Sequence, residues 1–456
     1  MEQLCVQPYP SAPKTPKPGK NSSNAFATIE ESAFTRAVVR CKGSSMNQHE
    51  IAFPELHPPL TPQAAVSEAN RCLYCFDAPC AAACPTHIDV PRFIKKIASG
   101  NPLGSAETIV EANVLGLSCS RVCPVEVLCE GACVYHNIDG KPITIGLLQR
   151  HAMDRFYASA GKLPYKTLPH AKKVACVGAG PASLACAAEL RKHGLAVTIF
   201  DKRPQPGGLN TYGVAHYKFT PNDAAREVEL VRATGVEFRT GISVGENLSV
   251  EDLERDFDAI FIGIGLGATQ SLGIPGEKLP NVVNALDFIA AYKTAQPLPV
   301  GNSVAVIGGG NTAIDAAVAA KLLGAPHVSI LYRRSQANMS AFSFEYEHAR
   351  NVGINFVWNA RPVAFTSEAV ECDGRLKIPC NTVILAIGQS RLLETLTKIR
   401  TIELRNGQVV VNPQTGQTAD AKYFAAGDCV NGGREVVDAA AEGKRAAQGI
   451  LQWLHS

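Results

Sequence analysis

The chain has 456 residues, enough for about three domains. Its 44 Lys+Arg against 41 Asp+Glu leave a net charge of +3, too small an excess for a nucleic-acid partner held by phosphate neutralisation. Hydrophobic residues make up 46%, yet no run approaches the roughly 20 apolar residues that span a bilayer, so a membrane segment is excluded.

The opening stretch, MEQLCVQPYPSAPKTPKPGK, has no apolar core of the kind an export signal needs, so a cytoplasmic protein is expected. Residues 1–51 are rich in Pro, Lys, Ser and Asn and read as a loosely ordered arm. From Thr61-Pro62 the pattern turns helical: QAAVSEANR, then PRFIKKIAS ending at Gly100, then SAETIVEANVL ending at Gly116, and finally IGLLQRHAMDRFYAS. Two cysteine runs are expected in loops between these helices, giving a helical domain over 52–165 with GKLPYKTLP as a linker at its end.

After Lys172 the pattern becomes α/β. KVACVG, AVTIFD, DAIFIGIG, NSVAVIGG, HVSILY and CNTVILAIG alternate with Ala-rich helical stretches, as parallel sheets with crossover helices do. Two of these runs open onto a glycine turn and a helix, which predicts two Rossmann-like nucleotide-binding modules. The first spans 166–294 and 386–456, and the second, 295–385, is inserted in it with a seam near AQPLPVGN.

The chain has fifteen cysteines, and eight of them form the two runs. The first is C-x2-C-x4-C-x3-C-P from Cys72 through Cys75 and Cys80 to Cys84; the second is C-x3-C-P-x4-C-x3-C from Cys119 through Cys123 and Cys129 to Cys133. Thiolates suit iron–sulfur clusters and zinc, but zinc sites usually pair two C-x2-C knuckles and only one is present. In two-cluster ferredoxins the last cysteine of such a run serves the other cluster. Spacing alone therefore puts Cys72, Cys75 and Cys80 on one [4Fe–4S] cluster completed from the second run, and Cys84 on another with the remaining second-run cysteines.

In the first module Gly178 permits the tight turn and Gly180 the approach of a pyrophosphate to the helix N-terminus, with Ala179, Pro181 and Ala182 around it. Ser183 stands at the third glycine position, and Asp201 ends the next strand, placed for ribose hydroxyls. Gly208-Leu209 and the distant Gly427-Asp428, followed by a helix from about Val436, mark this module as one for FAD. In the second module Gly308, Gly310 and Ala313 hold the fingerprint positions, with Gly309, Asn311 and Thr312 beside them and Ala386-Ile387-Gly388 after the last strand. Its second strand ends in Arg333-Arg334 rather than an acid, which favours the 2′-phosphate of NADPH over NADH.

These elements, in this order, resemble one family over residues 52–455. It comprises the small subunit of NADPH-dependent glutamate synthase, the PreT-type subunit of bacterial dihydropyrimidine dehydrogenase, and the N-terminal half of the single-chain eukaryotic dihydropyrimidine dehydrogenase. The resemblance implies cluster ligands Cys72, Cys75, Cys80 and Cys133 for one centre. For the other it implies Cys84, Cys123, Cys129 and the glutamine at Gln149, leaving Cys119 a non-ligand. It also implies that Lys218 stands where the family has a flavin-contacting arginine. RCLYCFDAPC, Gln149 and GGLNTYGVAHYKF look more like the dihydropyrimidine branch than the glutamate synthase branch.

The implied activity is electron input. NAD(P)H would be oxidised at FAD and electrons passed through two clusters to an FMN-containing catalytic subunit (PreA-type) that reduces uracil and thymine; the alternative is the small subunit of glutamate synthase. With no stretch of about 250 residues left for a TIM barrel, that catalytic site is expected on a separate chain. A disulfide reductase of the same two-module plan would need a C-x-x-C in the second module, and none stands between 300 and 385. A metal-stabilised scaffold without cofactors is at odds with intact glycine turns at both sites.

Overall fold

The computed structural model describes residues 53–455 apart from 139, 160, 164–171, 299 and 400, so the arm and most of the expected linker lie outside the described residues. The helical part begins as its sequence dictates. Thr61 caps Pro62–Asn70 by accepting from the Ala64 N–H, and Asp89 and Asn101 do the same for Val90–Ala98 and Pro102–Ala112. Apolar residues at helical spacing (Phe93, Ile94, Ile97, Ile109, Leu148, Met153) meet in a core continuous with that of the first α/β module.

Two expectations need correction here. The third helix stops at Ala112, because Asn113 is extended, and Gly116 opens a further helix, Gly116–Val122, instead of closing one. A Cβ at Gly116 would lie 2.5 Å from the Ile109 methyl, so this glycine permits close packing rather than a left-handed cap. As a result the cysteines are not all in loops: Cys119 sits in Gly116–Val122 and Cys80 in the short helix Pro79–Ala82.

The first α/β module is a five-stranded parallel sheet in the order Tyr423–Ala425, Ala259–Ile262, Lys173–Val177, Ala196–Asp201, Glu237–Thr240. The C-terminal helix Val436–His455 packs along Pro181–Lys192. The approach is close because a Cβ at Gly443 would fall 2.1 Å from the Ala182 carbonyl oxygen.

The second module is also five-stranded and parallel, in the order Val282–Asn284, Thr382–Leu385, Ser303–Ile307, His327–Tyr332, Asn355–Trp358. Its sheet thus recruits a strand that precedes the seam expected at 295. A three-stranded antiparallel ribbon (Pro362–Phe365, Ala369–Cys372, Lys377–Pro379) covers one face. Among the described residues no helix is long and apolar enough to cross a membrane.

Candidate functional site

Three sites emerge from these elements. In the first module the strand Lys173–Val177 runs into Gly178, whose φ of +94° and whose position 2.5 Å (for an added Cβ) from the Gly263 carbonyl leave room for glycine alone. Gly180 then caps Pro181–Lys192 without any side-chain hydrogen bond, so the first helical N–H groups are left for a ligand anion. Gly208 (φ +57°) lies against this turn, an added Cβ falling 2.7 Å from the Gly180 Cα.

Eleven of the sequence-predicted residues come together around this turn. A cleft of about 340 Å³ is lined by Gly178 through Ala182, Asp201, Gly208, Leu209, Gly427, Asp428 and Val436. Asp201 also fastens the turn: its two oxygens accept from the Ala179 and Arg203 backbone N–H groups at 2.6 and 2.7 Å, and each keeps further acceptor capacity. Burial raises the pKa of Asp428, whose carboxylate accepts from the Arg434 N–H.

Two predicted residues do not line this cleft. Ser183 is fully buried beneath the turn, where an added Cβ on Gly263 would meet its hydroxyl at 2.2 Å, so it sets helix-to-strand packing. Lys218 is turned into the boundary with the second module, where its ammonium pairs with Asp315 at 2.6 Å and with Glu345. Lys218, expected at the flavin, thus forms a buried ion trio and is not among the residues lining this cleft.

In the second module a cleft of about 630 Å³ is lined by Gly308, Gly309, Gly310, Thr312, Arg333, Ala386, Ile387 and Gly388. An added Cβ at Gly308 would lie 2.2 Å from the Ala386 oxygen, and one at Gly309 would strike the Tyr332 ring at 2.5 Å. Asn311 is occupied elsewhere, accepting from the Phe342 N–H, and Arg334 does not line the cleft. Arg361 does, a residue for which the sequence held no signal beyond its charge. The two clefts share Thr269, Leu286 and Gln389 as a common wall, built where the two crossings between the modules pair, Gln270 N–H to Gly388 and Ser390 N–H to Ala268.

A second residue missed from the sequence is Lys293, at the end of Ala285–Lys293. Its buried ammonium donates to the carbonyls of Asn210, Val214 and Phe219 at 2.8, 2.7 and 3.1 Å, tying down the loop that follows Gly208-Leu209. No motif marks it, because its partners are backbone atoms.

The third site is the cysteine region. Cys72, Cys75, Cys80 and Cys133 line one small cavity with Ile94 and Ile145. The loops carrying them turn through left-handed residues that are not glycine, Tyr74 (φ +51°), Ala78 (φ +34°) and His87 (φ +53°), backbone strain of the kind that persists where a site demands it. Cys84, Cys123 and Cys129 form a second neighbourhood. Burial, then the Glu130 carboxylate and the Cys84 thiol, push Cys129 upward, Cys80 is pushed up to about 11 by burial and Cys72, and Cys123 is raised first by its hydrogen bond with Cys119 and then by burial.

Thiols so crowded ionise together only beside a cation, which fits iron as their partner. Among the described residues no three His, Cys, Asp or Glu side chains converge as they would on a single metal ion. Gln149 is buried, and its amide nitrogen is committed to the Gly116 carbonyl at 2.8 Å. Cys119 accepts from the Asn113 amide at 3.2 Å.

Comparison with known proteins agrees with this layout. Residues 49–160 match the family model described as dihydropyrimidine dehydrogenase domain II, 4Fe-4S cluster, and residues 143–443 match that of the pyridine nucleotide-disulphide oxidoreductases. The NAD-dependent dihydropyrimidine dehydrogenase subunit PreT of Salmonella typhimurium is 36% identical over 88% of this chain and 97% of its own length. The small chain of NADPH glutamate synthase from Halomonas elongata is 34% identical over 88% of this chain and 93% of its own. Among solved structures, T. acidophilum thioredoxin reductase covers 62% of this chain and 100% of its own at TM-score 0.53, and Mycobacterium tuberculosis FprA covers 63% and 85% at 0.52. At 18% and 17% identity these two speak for the fold alone.

Proposed function

The chain belongs to the pyridine nucleotide-disulphide oxidoreductases that carry an N-terminal iron–sulfur domain, the family of PreT and the glutamate synthase small chains, and we propose that it is the electron-input subunit of a dihydropyrimidine dehydrogenase. As a member it is an NAD(P)H-dependent FAD oxidoreductase with iron–sulfur chemistry. The finer reading has NADPH as donor and two [4Fe–4S] clusters. Its partner would be a catalytic subunit bearing FMN that reduces uracil or thymine, in the cytoplasm.

The observation that carries this reading is the pairing of two clefts across one wall with a cysteine region whose core is continuous with the first cleft's module. Bound flavin would take electrons as a hydride pair from nicotinamide, and iron–sulfur clusters would hand them on singly. The chain's own residues supply orientation. The glycine turns at Gly178 and Gly308 offer backbone N–H groups to two pyrophosphates, and Asp201 fixes the first turn. Thr269, Leu286 and Gln389 form the wall where the inner ends of the two ligands would face each other. Lys293 and the Lys218–Asp315–Glu345 trio hold the loop of residues 210–219 against both modules.

Cys72, Cys75, Cys80 and Cys133 would hold one cluster, and Cys84, Cys123, Cys129 and Gln149 the other. Native co-purification tests the branch. Recovery with an FMN subunit that reduces uracil when NADPH is supplied supports the proposal. Recovery with a large glutaminase-bearing chain assigns the protein to the glutamate synthase branch, for which the 34% identity over 88% of the chain speaks.

A further inference from the structure

We infer that Arg361 is a specificity-determining residue of the second cleft, forming with Arg333 a two-pronged site for the phosphate on the adenosine 2′ position, and that Arg334 takes no part in it. The inference rests on the reading that this cleft takes NAD(P)H and adds which residues choose between the two forms.

The placement follows from the strand ends. Beyond the strand His327–Tyr332 the chain bends at Arg333 and Arg334, and only one of the two lines the cleft. Arg333 lines it and Arg334 does not. The neighbouring strand runs parallel with Trp358 opposite Tyr332, and the two exits stay joined beyond it: Ala360 N–H donates to the Tyr332 carbonyl and Asn359 N–H to that of Arg334. Asn359 then adopts φ +56°, which turns the chain, and the Asp373 N–H holds the Arg361 carbonyl at 3.0 Å. Arg361 is thereby delivered to the same cleft as Arg333.

The electrostatics point to an anion. Among the described residues, Arg333 and Arg361 are the only charged side chains lining this cleft, and no Asp or Glu lines it. Neither guanidinium has a carboxylate within ion-pair distance among the described residues, although surface arginines elsewhere in the chain, such as Arg232 and Arg255, do. Tyr332, which precedes Arg333 and accepts from the Ala360 N–H just before Arg361, has its ring 2.5 Å from a Cβ added at Gly309, so the two arginines leave the strands at the glycine-turn end. A phosphate dianion there would receive charge-assisted hydrogen bonds from both arginines. The 2′-hydroxyl of NADH offers no charge for them to meet.

The test is calorimetric binding of 2′,5′-ADP and of 5′-ADP to the flavin- and iron-loaded protein, with R333A, R361A and R334A compared. The unaltered protein is expected to prefer 2′,5′-ADP. R361A and R333A should each weaken 2′,5′-ADP by about tenfold to a hundredfold, the worth of a hydrogen bond to a charged group. Both should leave 5′-ADP within twofold, which also reports an intact cleft, and R334A should change neither ligand. R361K should recover part of the loss. A preference that survives R361A but falls in R334A overturns the assignment while leaving the nicotinamide cleft standing. Equal binding of the two nucleotides by the unaltered protein overturns the 2′-phosphate reading as well.

Discussion

Replacing Glu227 by glutamine probes how the iron–sulfur domain is joined to the flavin module. Glu227 lies on Pro221–Arg232, is 1% exposed, and reaches across to accept from the Ser118 N–H at 2.8 Å near the start of Gly116–Val122. Its other oxygen is buried without a hydrogen-bond partner among the described residues. Burial pushes this carboxyl up to about 7 from an ordinary 4.5, against the opposing pull of Ser118 and Arg121. The folded protein therefore holds a proton that the unfolded chain releases between those two values. Stability from this group is present in acid, falls as pH rises through the window, and is lost above 7.

At about 1.4 kcal/mol per pH unit, the difference between pH 5 and pH 8 comes to about 2 to 3 kcal/mol. Glutamine keeps an acceptor for Ser118 but cannot ionise, and any fixed cost of its amide is the same at both pH values. Anaerobic urea titrations of the loaded protein should show E227Q gaining that amount on the parent between pH 5 and pH 8. Parallel pH dependences for the two proteins would refute the reasoning, because they would mean that the carboxyl is not buried at this junction.

Three further substitutions follow from the same geometry. Lys293→Met removes the donor from three buried carbonyls at about 1 to 3 kcal/mol each, partly offset by the loss of a buried charge. A net destabilisation of about 3 kcal/mol with reduced flavin content is expected in urea unfolding and absorbance, and unchanged values would contradict it. Gly208→Ala forces a side chain into a left-handed backbone 2.7 Å from the Gly180 Cα. About 1 to 3 kcal/mol of strain should fall on the flavin turn, visible as a tenfold or greater loss of flavin affinity, whereas stoichiometric flavin would count against the turn's role. Cys133→Ala should halve an iron content of about 8 per chain, while Cys119→Ala should leave it unchanged; the reverse pattern would exchange their roles.

The sequence was most readable where chemistry forces residue type. Both glycine turns, the acid at Asp201 and the C-terminal helix follow from backbone sterics, and the inner strands from β-branched runs buried on both faces. The edge strand Glu237–Thr240 was not legible, since it is short, polar and largely exposed and so lacks apolar periodicity. Gly116 was misjudged because a glycine that permits close packing looks the same in sequence as one that ends a helix. Lys218, Ser183, Asn311 and Arg334 occupied motif positions, yet tertiary partners, or for Arg334 the bend after its strand, leave their side chains outside the lining of the clefts. Arg361, Lys293 and the shared wall at Thr269, Leu286 and Gln389 come from chain crossings that no local pattern encodes.

The central claim is that paired electrons from nicotinamide leave this chain one at a time through iron, and anaerobic titration with NADPH followed by optical and EPR spectroscopy tests it most directly. The account predicts flavin bleaching accompanied by the EPR signal of reduced [4Fe–4S] centres, lost in part when Cys133 is replaced. Flavin that bleaches fully while the loaded iron stays EPR-silent at every NADPH ratio, with no electron delivered to an added one-electron acceptor, would contradict it.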